Sequence, residues 1–144
     1  MTTDEQYMLL AIEEAKKAYA CGEVPVGCVI VSAGRIIGRG HNLTETLRDV
    51  TAHAEMQALT AAGQTLASKY LCEATLYVTV EPCAMCAGAI GWAQIRRLVY
   101  GASDEKRGYA MLAKNVLHPK CEVVKGVLEG ECKQLMQAFF RERR

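Results

Sequence analysis

The chain has 144 residues, of which 51% are hydrophobic and 23% charged, and its 17 lysines and arginines nearly balance its 16 aspartates and glutamates. This composition excludes a disordered chain, and the formal net charge of +1 excludes the strongly basic character of a non-specific nucleic-acid binder. No apolar stretch approaches the roughly 20 residues that a membrane span needs. We therefore expect a single domain over residues 1–144 with no membrane partner.

The amino-terminal residues and the seven cysteines indicate a reducing compartment. The sequence starts with Met-Thr-Thr-Asp-Glu-Gln, which lacks the basic and apolar segments of a secretory signal, so we expect a cytoplasmic protein whose thiols stay reduced. Cys83 and Cys86 are three residues apart. The other five are scattered, and we expect them to be small buried apolar residues. These five are Cys21, Cys28, Cys72, Cys121 and Cys132.

The first half of the chain predicts a helix, a hairpin and a second helix. Gly22 is placed to end the first helix, Ala33-Gly34 forms the tight turn of the hairpin, and Thr51 can cap the second helix. The polar stretch His41–Val50 lacks periodicity and predicts a loop. The predicted elements are a helix over Asp4–Ala20, strands over Val24–Ser32 and Arg35–Gly40, and a helix over residues 52–62.

The second half alternates strands and helices. A strand followed by a helix and another strand implies a parallel crossover. The predicted elements are a strand over Ala74–Val80, a helix over residues 82–94 that starts at Pro82, strands over Arg97–Tyr100 and Cys121–Val127, and a helix over Glu129–Arg143. The last helix has a predicted buried stripe of Cys132, Leu135, Met136, Phe139 and Phe140. We therefore predict an α/β fold with three layers, α/β/α, around a central mixed five-stranded sheet.

Two short motifs, each in the first turn of a predicted helix, concentrate the residues that can do chemistry. They are His53-Ala54-Glu55 and Pro82-Cys83-Ala84-Met85-Cys86. The two sulfurs, at positions i and i+3, can point to one side, and a helix amino terminus favours the thiolate that binds metal. Taken alone, each motif is weak. His-x-Glu is common at polar helix starts, and Cys-x-x-Cys also fits a redox pair, half of a structural zinc knot or two core cysteines.

Together the two motifs supply the ligands of a catalytic zinc site. One imidazole nitrogen and two thiolates leave the fourth tetrahedral position open. A structural site would need a fourth ligand, for which His41, His118 and the other cysteines are available in principle but not at motif spacing. Two thiolates cancel the charge of the zinc ion, so a bound water is less readily ionised and needs a nearby base. Glu55, two residues from His53, is the candidate base.

A His-x-Glu followed by Pro-Cys-x-x-Cys is the known signature of zinc nucleobase deaminases. On these residues the chain resembles the cytidine/deoxycytidylate-type zinc deaminase superfamily, and within it the bacterial tRNA-specific adenosine deaminases. The resemblance extends from about Glu5 to the carboxyl terminus and implies a cytidine deaminase-like fold. It also rests on six segments, Glu23–Gly27, Thr51–Glu55, Leu76–Cys83, Met85–Ala89, Tyr100–Ala102 and Phe139–Arg141.

The resemblance implies a role for each residue of the two motifs. His53, Cys83 and Cys86 would hold Zn²⁺, one ion per subunit. Glu55 would be the catalytic residue that moves protons from the water to a ring nitrogen and then to the departing ammonia. The implied enzyme is a zinc-dependent hydrolase, an adenosine or nucleobase deaminase.

The resemblance also implies a substrate and a partner. Asn42 would hydrogen-bond the base, and the backbone around Ala54 would help to seat it over the zinc. The substrate would be the wobble adenosine of a tRNA anticodon stem-loop, which is converted to inosine as an RNA-editing step of tRNA processing. Such enzymes are homodimers whose RNA contacts come from both subunits.

Elementary physics agrees with an RNA loop as substrate. An unpaired base costs less to splay into a pocket than a base inside a duplex. Arg141, Arg143 and Arg144, at the end of the last predicted helix, can form a phosphate-binding patch, and Asp104 can face the RNA backbone. Without the resemblance, the arginines are better interpreted as a solvated helix end and Asn42 as a loop residue. For Asp104 a cap for local turns is an equal alternative to an RNA contact.

Two departures from the family pattern keep other substrates open. A tryptophan at position 92 resembles the guanine deaminases as much as the tRNA enzymes. Val50 stands where many members of the family have proline. A second interpretation therefore keeps the zinc mechanism and takes a free nucleobase, guanine or cytosine, as substrate. A third is a non-catalytic, zinc-stabilised RNA-binding module, in which Glu55 has no role.

Overall fold

The computed structural model describes residues 1–143 and contains one five-stranded sheet with strand order β2-β1-β3-β4-β5. The helices are α1 (Thr3–Ala20), α2 (Thr44–Leu47), α3 (Ala54–Leu66), α4 (Ala84–Trp92), α5 (Tyr109–Leu112) and α6 (Glu129–Glu142). The strands are β1 (Gly27–Ser32), β2 (Arg35–His41), β3 (Thr75–Val80), β4 (Arg97–Ala102) and β5 (Glu122–Lys125).

The sheet is mixed and is covered by helices on both faces. β1 is antiparallel to β2 and β3, whereas β3, β4 and β5 are parallel to one another. Along β1, Cys28 and Ile30 pack with α3 and α4, and Val29 and Val31 pack with α1 and α6. This alternation is what a strand buried on both faces requires. The three-layer α/β/α prediction with a mixed five-stranded sheet is confirmed.

Helix α1 has well-defined signals at both ends. The Thr2 hydroxyl accepts a hydrogen bond from the Glu5 backbone N–H at 3.1 Å, and the Thr2 N–H donates to the Glu5 carboxylate at 2.8 Å. This reciprocal pair satisfies two amides that would otherwise have no partner. The helix ends before Gly22, whose φ of 77° belongs to the left-handed region that glycine tolerates.

Three strands end at the same edge of the sheet. Because β2 and β3 are both antiparallel to β1, they run in the same direction as β4. Asn42 directly follows β2, Glu81 directly follows β3, and Asp104 lies just beyond β4. In α/β sheets this carboxyl edge is where functional residues collect.

The opposite edge is fastened by an ion pair between α1 and β4. Both oxygens of the Asp4 carboxylate accept hydrogen bonds from the Arg97 guanidinium at 2.7 Å, and the Tyr77 hydroxyl donates to the same carboxylate at 2.8 Å. The Arg97 guanidinium lowers the pKa of Asp4 below its ordinary value of 3.8. The start of α1 is therefore tied to the sheet by charge-assisted hydrogen bonds.

Helix α3 approaches β2 closely because small residues face each other. Ala54, Ala58 and Ala62 are fully buried along one side of the helix. A Cβ atom placed on Gly40 would lie 2.7 Å from the carbonyl oxygen of Ala54 and 2.8 Å from the backbone nitrogen of Ala58. Only glycine at this position permits such a short distance between the strand and the helix.

The segment between β2 and α3 differs from the prediction. The predicted loop over residues 41–50 contains the short helix α2, which sequence periodicity does not reveal because it is a single turn. Thr51 does not cap α3, because the helix begins at Ala54 and His53 occupies the cap position. Pro82 is likewise outside α4, whose cap position is Cys83. The first strand starts at Gly27 rather than at Val24.

Some burial predictions are also wrong. Phe140 is 50% exposed, because α6 turns only Cys132 and Phe139 fully toward the sheet. Among the five scattered cysteines, Cys28 and Cys132 are buried, whereas Cys21 and Cys72 are exposed. Within residues 1–143, no helix combines the length and the apolar character that a membrane crossing requires.

We expect Gly40→Ala to destabilise the protein by about 2–4 kcal/mol, because the added methyl group collides with the backbone of α3, which cannot move away as a side chain can. Gly130→Ala is the matched control. No atom lies within 4 Å of a Cβ at Gly130, in the first turn of α6, so it is expected to be neutral or to stabilise by up to about 1 kcal/mol. Urea unfolding of both variants tests the difference, and equal stabilities would contradict the close packing of α3 on β2.

Candidate metal centre and active site

Two helix starts meet at the carboxyl edge of the sheet. His53 is the N-cap residue of α3, and Cys83 is the N-cap residue of α4. Both have extended backbone, with φ near −70°, and neither side chain caps its own helix. Ser, Thr, Asp or Asn usually occupy this position to bond the free amides of the first turn. Here the two side chains are directed elsewhere, toward each other.

His53, Cys83 and Cys86 form a compact cluster. The His53 Nδ1 atom lies 3.6 Å from Cys83 Sγ and 3.4 Å from Cys86 Sγ, and the three candidate ligand atoms all lie within 4.8 Å of one another. A tetrahedral zinc ion with the usual bond lengths of about 2.3 Å to sulfur and about 2.0 Å to nitrogen would separate such ligands by about 3.6 Å. The spacing of these side chains fits zinc.

The environment of the cluster favours one thiolate even without a metal. A hydrogen bond from the Cys86 thiol, together with one from His53, lowers the pKa of Cys83 to about 4. The same contact with Cys83, with burial, raises the pKa of Cys86. The hydrogen bond with Cys83 also raises the pKa of His53. Zinc binding requires deprotonated thiols, so the metal would displace the proton that these groups share.

Glu55 lies beside the cluster without belonging to it. It is the second residue of α3, and only 4% of its surface is exposed. Burial raises the pKa of Glu55 to about 7. A buried carboxylate that lies next to the candidate metal ligands but is not one of them is available for proton transfer.

Asn42 and Ala54, the two residues expected to seat the base, lie at the same edge. Asn42 is 7% exposed; its side-chain nitrogen donates to the Val24 carbonyl at 3.4 Å, and its side-chain oxygen accepts from the Thr44 N–H at 3.1 Å. Ala54 is fully buried as the first residue of α3. The Leu43 N–H donates to the Ala52 carbonyl at 2.9 Å, which ties the Asn42 segment to the start of α3.

Asp104 belongs to a segment that docks on the second motif. Its carboxylate accepts hydrogen bonds from the backbone N–H groups of Lys106 and Arg107 at 3.0 Å, so it caps a local turn. The segment then pairs with the motif, because Gly108 forms a β-bridge with Cys83. Residues 104–108 therefore form a wall next to one of the candidate ligands.

The structure places the carboxyl-terminal arginines differently from one another. Arg141 is exposed in the last turn of α6. The guanidinium of Arg143 stacks 3.9 Å above the Phe139 ring and donates to the Gly22 carbonyl at 3.3 Å, which fixes the end of α6 against the end of α1. Arg144 lies outside the described residues.

Two buried carboxylates in the site were missed from the sequence. Glu81, 7% exposed, accepts hydrogen bonds from the N–H groups of Asp104 and Ala110 and so holds the wall against the second motif. Glu23, fully buried, accepts hydrogen bonds from α2. The available signal was a lone acidic residue that borders an apolar stretch and a proline. Glu81 lies between β3 and Pro82, and Glu23 precedes Val24-Pro25. Such residues are rarely buried without a partner.

Comparison with known proteins agrees with this geometry. Residues 1–102, which include both motifs, match the family model for the cytidine and deoxycytidylate deaminase zinc-binding region. The chain belongs to this deaminase family. It is 50% identical to a tRNA-specific adenosine deaminase of Bacillus subtilis over 149 aligned residues, which cover 100% of this chain and 92% of that protein.

Two solved structures of related proteins share this fold. One, from work on A-to-I editing by tRNA A34 deaminases at the wobble position of transfer RNA, has a TM-score of 0.84 and 43% identity, covering 90% of this chain and 98% of that one. A guanine deaminase from Bacillus subtilis has a TM-score of 0.69 and 33% identity, covering 83% of this chain and 79% of that one. Family membership and the cytidine deaminase-like fold, both expected from the motifs, are confirmed.

We expect Cys83→Ser to lower zinc affinity by at least about 100-fold, because a serine hydroxyl stays protonated where the thiol ionises. Loss of a residue that only hydrogen-bonds a metal ligand typically lowers metal affinity by about 10–100-fold, and loss of the ligand itself should cost more. Elemental analysis after gel filtration measures the bound zinc. Cys21→Ser, an exposed thiol at the end of α1, is the control and should retain zinc as the wild type does. Full zinc content in Cys83→Ser would exclude Cys83 as a ligand.

Proposed function

We propose that the protein is a zinc-dependent adenosine deaminase that converts the wobble adenosine of a tRNA anticodon loop to inosine. The observation that carries the proposal is the cluster of one imidazole and two thiols beside the buried, non-coordinating carboxylate of Glu55. The 50% identity to a tRNA-specific adenosine deaminase over the whole chain supports tRNA as the substrate. Acting on tRNA is consistent with a cytoplasmic protein.

His53, Cys83 and Cys86 would hold one zinc ion per chain, within one domain over residues 1–144. Three protein ligands leave a fourth position, which distinguishes a catalytic from a structural site. Zinc bound there would supply Lewis-acid chemistry that makes a water molecule more acidic. The two helix starts contribute partial positive charge next to the thiolates and support a site rich in negative ligands.

Glu55 would carry the protons of the reaction. Hydrolysis adds the oxygen of water to C6 of adenine and breaks the bond between C6 and the exocyclic amino nitrogen, so adenosine and water become inosine and ammonia. Glu55 accepts a proton from the water and delivers it to ring nitrogen N1, and it then transfers the second proton to the departing amine. Burial at 4% exposure keeps bulk water from competing for these protons.

Asn42 and the backbone at Ala54 would seat the base. The two residues lie on either side of the Leu43–Ala52 hydrogen bond, at the edge where the metal cluster is found. The side chain of Asn42 is oriented by Val24 and Thr44, so it is fixed before substrate arrives. Pre-oriented groups of this kind reduce the entropy lost on binding.

The RNA backbone would contact the rim of the site. Arg141 is exposed and would contact an RNA phosphate. We also assign RNA contacts to Asp104, Arg143 and Arg144. Asp104 shapes the wall by its local hydrogen bonds, and Arg143 presents its guanidinium from a stacked position. The arginines supply local positive charge in a chain whose net charge is only +1.

The enzyme would act as a homodimer. A hollow of about 970 Å³ between α3 and α4 is lined by apolar side chains that include Met56, Leu59, Tyr70 and Trp92. Trp92 is 84% exposed in the single chain. A large exposed apolar surface is typical of a protein interface, and a second copy of the chain would cover it.

Glu55→Gln is expected to retain zinc and to lose deamination of an anticodon stem-loop by at least about 100-fold, because the amide cannot accept or relay the proton. Mass-spectrometric detection of inosine measures activity, and elemental analysis measures zinc. Glu13→Gln, an exposed residue on α1, is the control and should behave as wild type. Less than about a tenfold loss would exclude Glu55 as the proton carrier. A wild type that binds the stem-loop without deaminating it would favour the RNA-binding module.

A free nucleobase is the second candidate substrate, since a guanine deaminase shares the fold at 33% identity. We expect the wild type to release ammonia from the stem-loop and not from free guanine or cytosine. The activity on RNA should also fall steeply with salt, because phosphate contacts release counterions. Activity on guanine with none on the stem-loop would reject the tRNA assignment and retain the zinc mechanism.

A further inference from the structure

We propose that Glu23 is a positioning residue for base binding, whose buried carboxylate caps α2 from outside the helix and thereby holds the segment that carries Asn42. The inference rests on the proposed function in one respect, because it takes Asn42 as a residue that contacts the base. The capping itself follows from the contacts of Glu23 alone.

The Glu23 carboxylate is saturated by hydrogen bonds from one short stretch of chain. Oε1 accepts from the Glu45 N–H at 3.1 Å and from the Thr44 hydroxyl at 3.5 Å. Oε2 accepts from the N–H of Thr46 at 2.7 Å and from its hydroxyl at 2.6 Å. All four donors lie in the first turn of α2, which is 20 residues or more from Glu23 along the chain.

Glu23 is buried as an anion without a cation. The residue is fully buried, and none of the ion pairs found among residues 1–143 includes it. Burial opposes its ionisation, but the hydrogen bonds from Thr46 and Glu45 outweigh burial and lower the pKa of Glu23. A buried charge is costly unless hydrogen bonds compensate it, and for Glu23 the donors of α2 provide that compensation.

Helix α2 depends on this carboxylate because it cannot cap itself. Its N-cap residue, Leu43, has no side-chain hydrogen bond to the helix. A helix of four residues does not form in isolation, since nucleation costs more than one turn returns. Glu23 supplies what an N-cap residue normally supplies, namely acceptors for the free N–H groups and negative charge at the positive end of the helix.

The order of α2 is transmitted directly to Asn42. The Asn42 side-chain oxygen accepts from the N–H of Thr44, the first residue of α2. The Asn42 side-chain nitrogen donates to the carbonyl of Val24, the residue after Glu23. Loss of the carboxylate would free the first turn of α2, and Asn42 would lose the fixed donor that orients its amide.

The expected consequence is weaker substrate binding rather than slower chemistry. If α2 is ordered in only about a tenth of the molecules, the apparent affinity falls about tenfold, because only the ordered fraction is competent to bind. RNA that does bind selects the ordered form, so turnover of the bound complex changes little. A residue with a merely structural role would reduce stability without this split between KM and kcat.

The test compares Glu23→Gln, Thr46→Val and Thr46→Ser in the zinc-loaded protein. Glu23→Gln keeps the shape of the side chain but turns an amide NH₂ toward donors of α2. Thr46→Val removes one donated hydroxyl at an exposed residue, so it remains informative if Glu23→Gln does not fold. Thr46→Ser retains the hydroxyl and serves as the matched rescue. Asp4→Asn weakens a comparable set of carboxylate hydrogen bonds at the opposite edge of the sheet.

Two measurements are made on each variant, namely KM and kcat on an anticodon stem-loop and hydrogen exchange of the Glu45 and Thr46 amides. Glu23→Gln should retain zinc, raise KM about tenfold with kcat within about threefold, and speed up exchange of both amides. Thr46→Val should show the same changes at smaller size. Thr46→Ser and Asp4→Asn should leave KM and both amides as in the wild type.

Three outcomes would overturn a claim. Unchanged exchange in Glu23→Gln would refute the capping of α2. Faster exchange with an unchanged KM would refute the role in base binding. A wild-type protein that does not deaminate the stem-loop would refute the proposed function, and the base-binding role would fall with it, while the exchange data would still decide the capping.

Discussion

Three donor atoms from two helix starts set the geometry on which the site depends. His53 and Cys83 occupy N-cap positions, and Cys86 follows one turn later. Extended backbone at each cap turns the side chain off its own helix and toward the other, which brings nitrogen and sulfur to within 3.6 Å. The positive ends of both helix dipoles lie next to the thiols, so the fold favours the ionised form that a metal needs. The close approach of β2 at Gly40 fixes the start of α3 against the sheet.

Buried carboxylates hold the segments that surround the three candidate ligands. Glu23 bonds the segment after β2, and Glu81 bonds the segment after β4. Polar anchors suit this edge of the sheet, because segments that must admit a substrate cannot bury much apolar surface. Each anchor satisfies backbone N–H groups that would otherwise be left without partners. The site therefore consists of the three candidate ligands and two walls, each of which is held by a buried carboxylate and by backbone bonds to the elements that carry the ligands.

The sequence predicts the scaffold and the metal cluster better than it predicts the rim. Strand and helix periodicity is strong where elements cross the core, and His53, Cys83 and Cys86 follow a spacing that few other functions use. Helix α2 escaped prediction because one turn has no periodicity and its cap comes from Glu23, about 20 residues away along the chain. The exposure of Phe140 was also not predicted. Helical spacing shows which side of α6 faces the sheet, but it does not show how many residues on that side the sheet covers. Long-range polar contacts leave no local pattern in a sequence.

The tethering of the walls has a consequence for how such a protein changes over evolution. Substitutions in the segments after β2 and β4 would change the surface around the three candidate ligands, yet the ligand atoms themselves belong to the starts of α3 and α4, which lie outside those segments. Related proteins can thus acquire new substrates while the three metal ligands stay the same. The shared architecture of a guanine deaminase and this chain at 33% identity is the outcome that such a separation of duties allows.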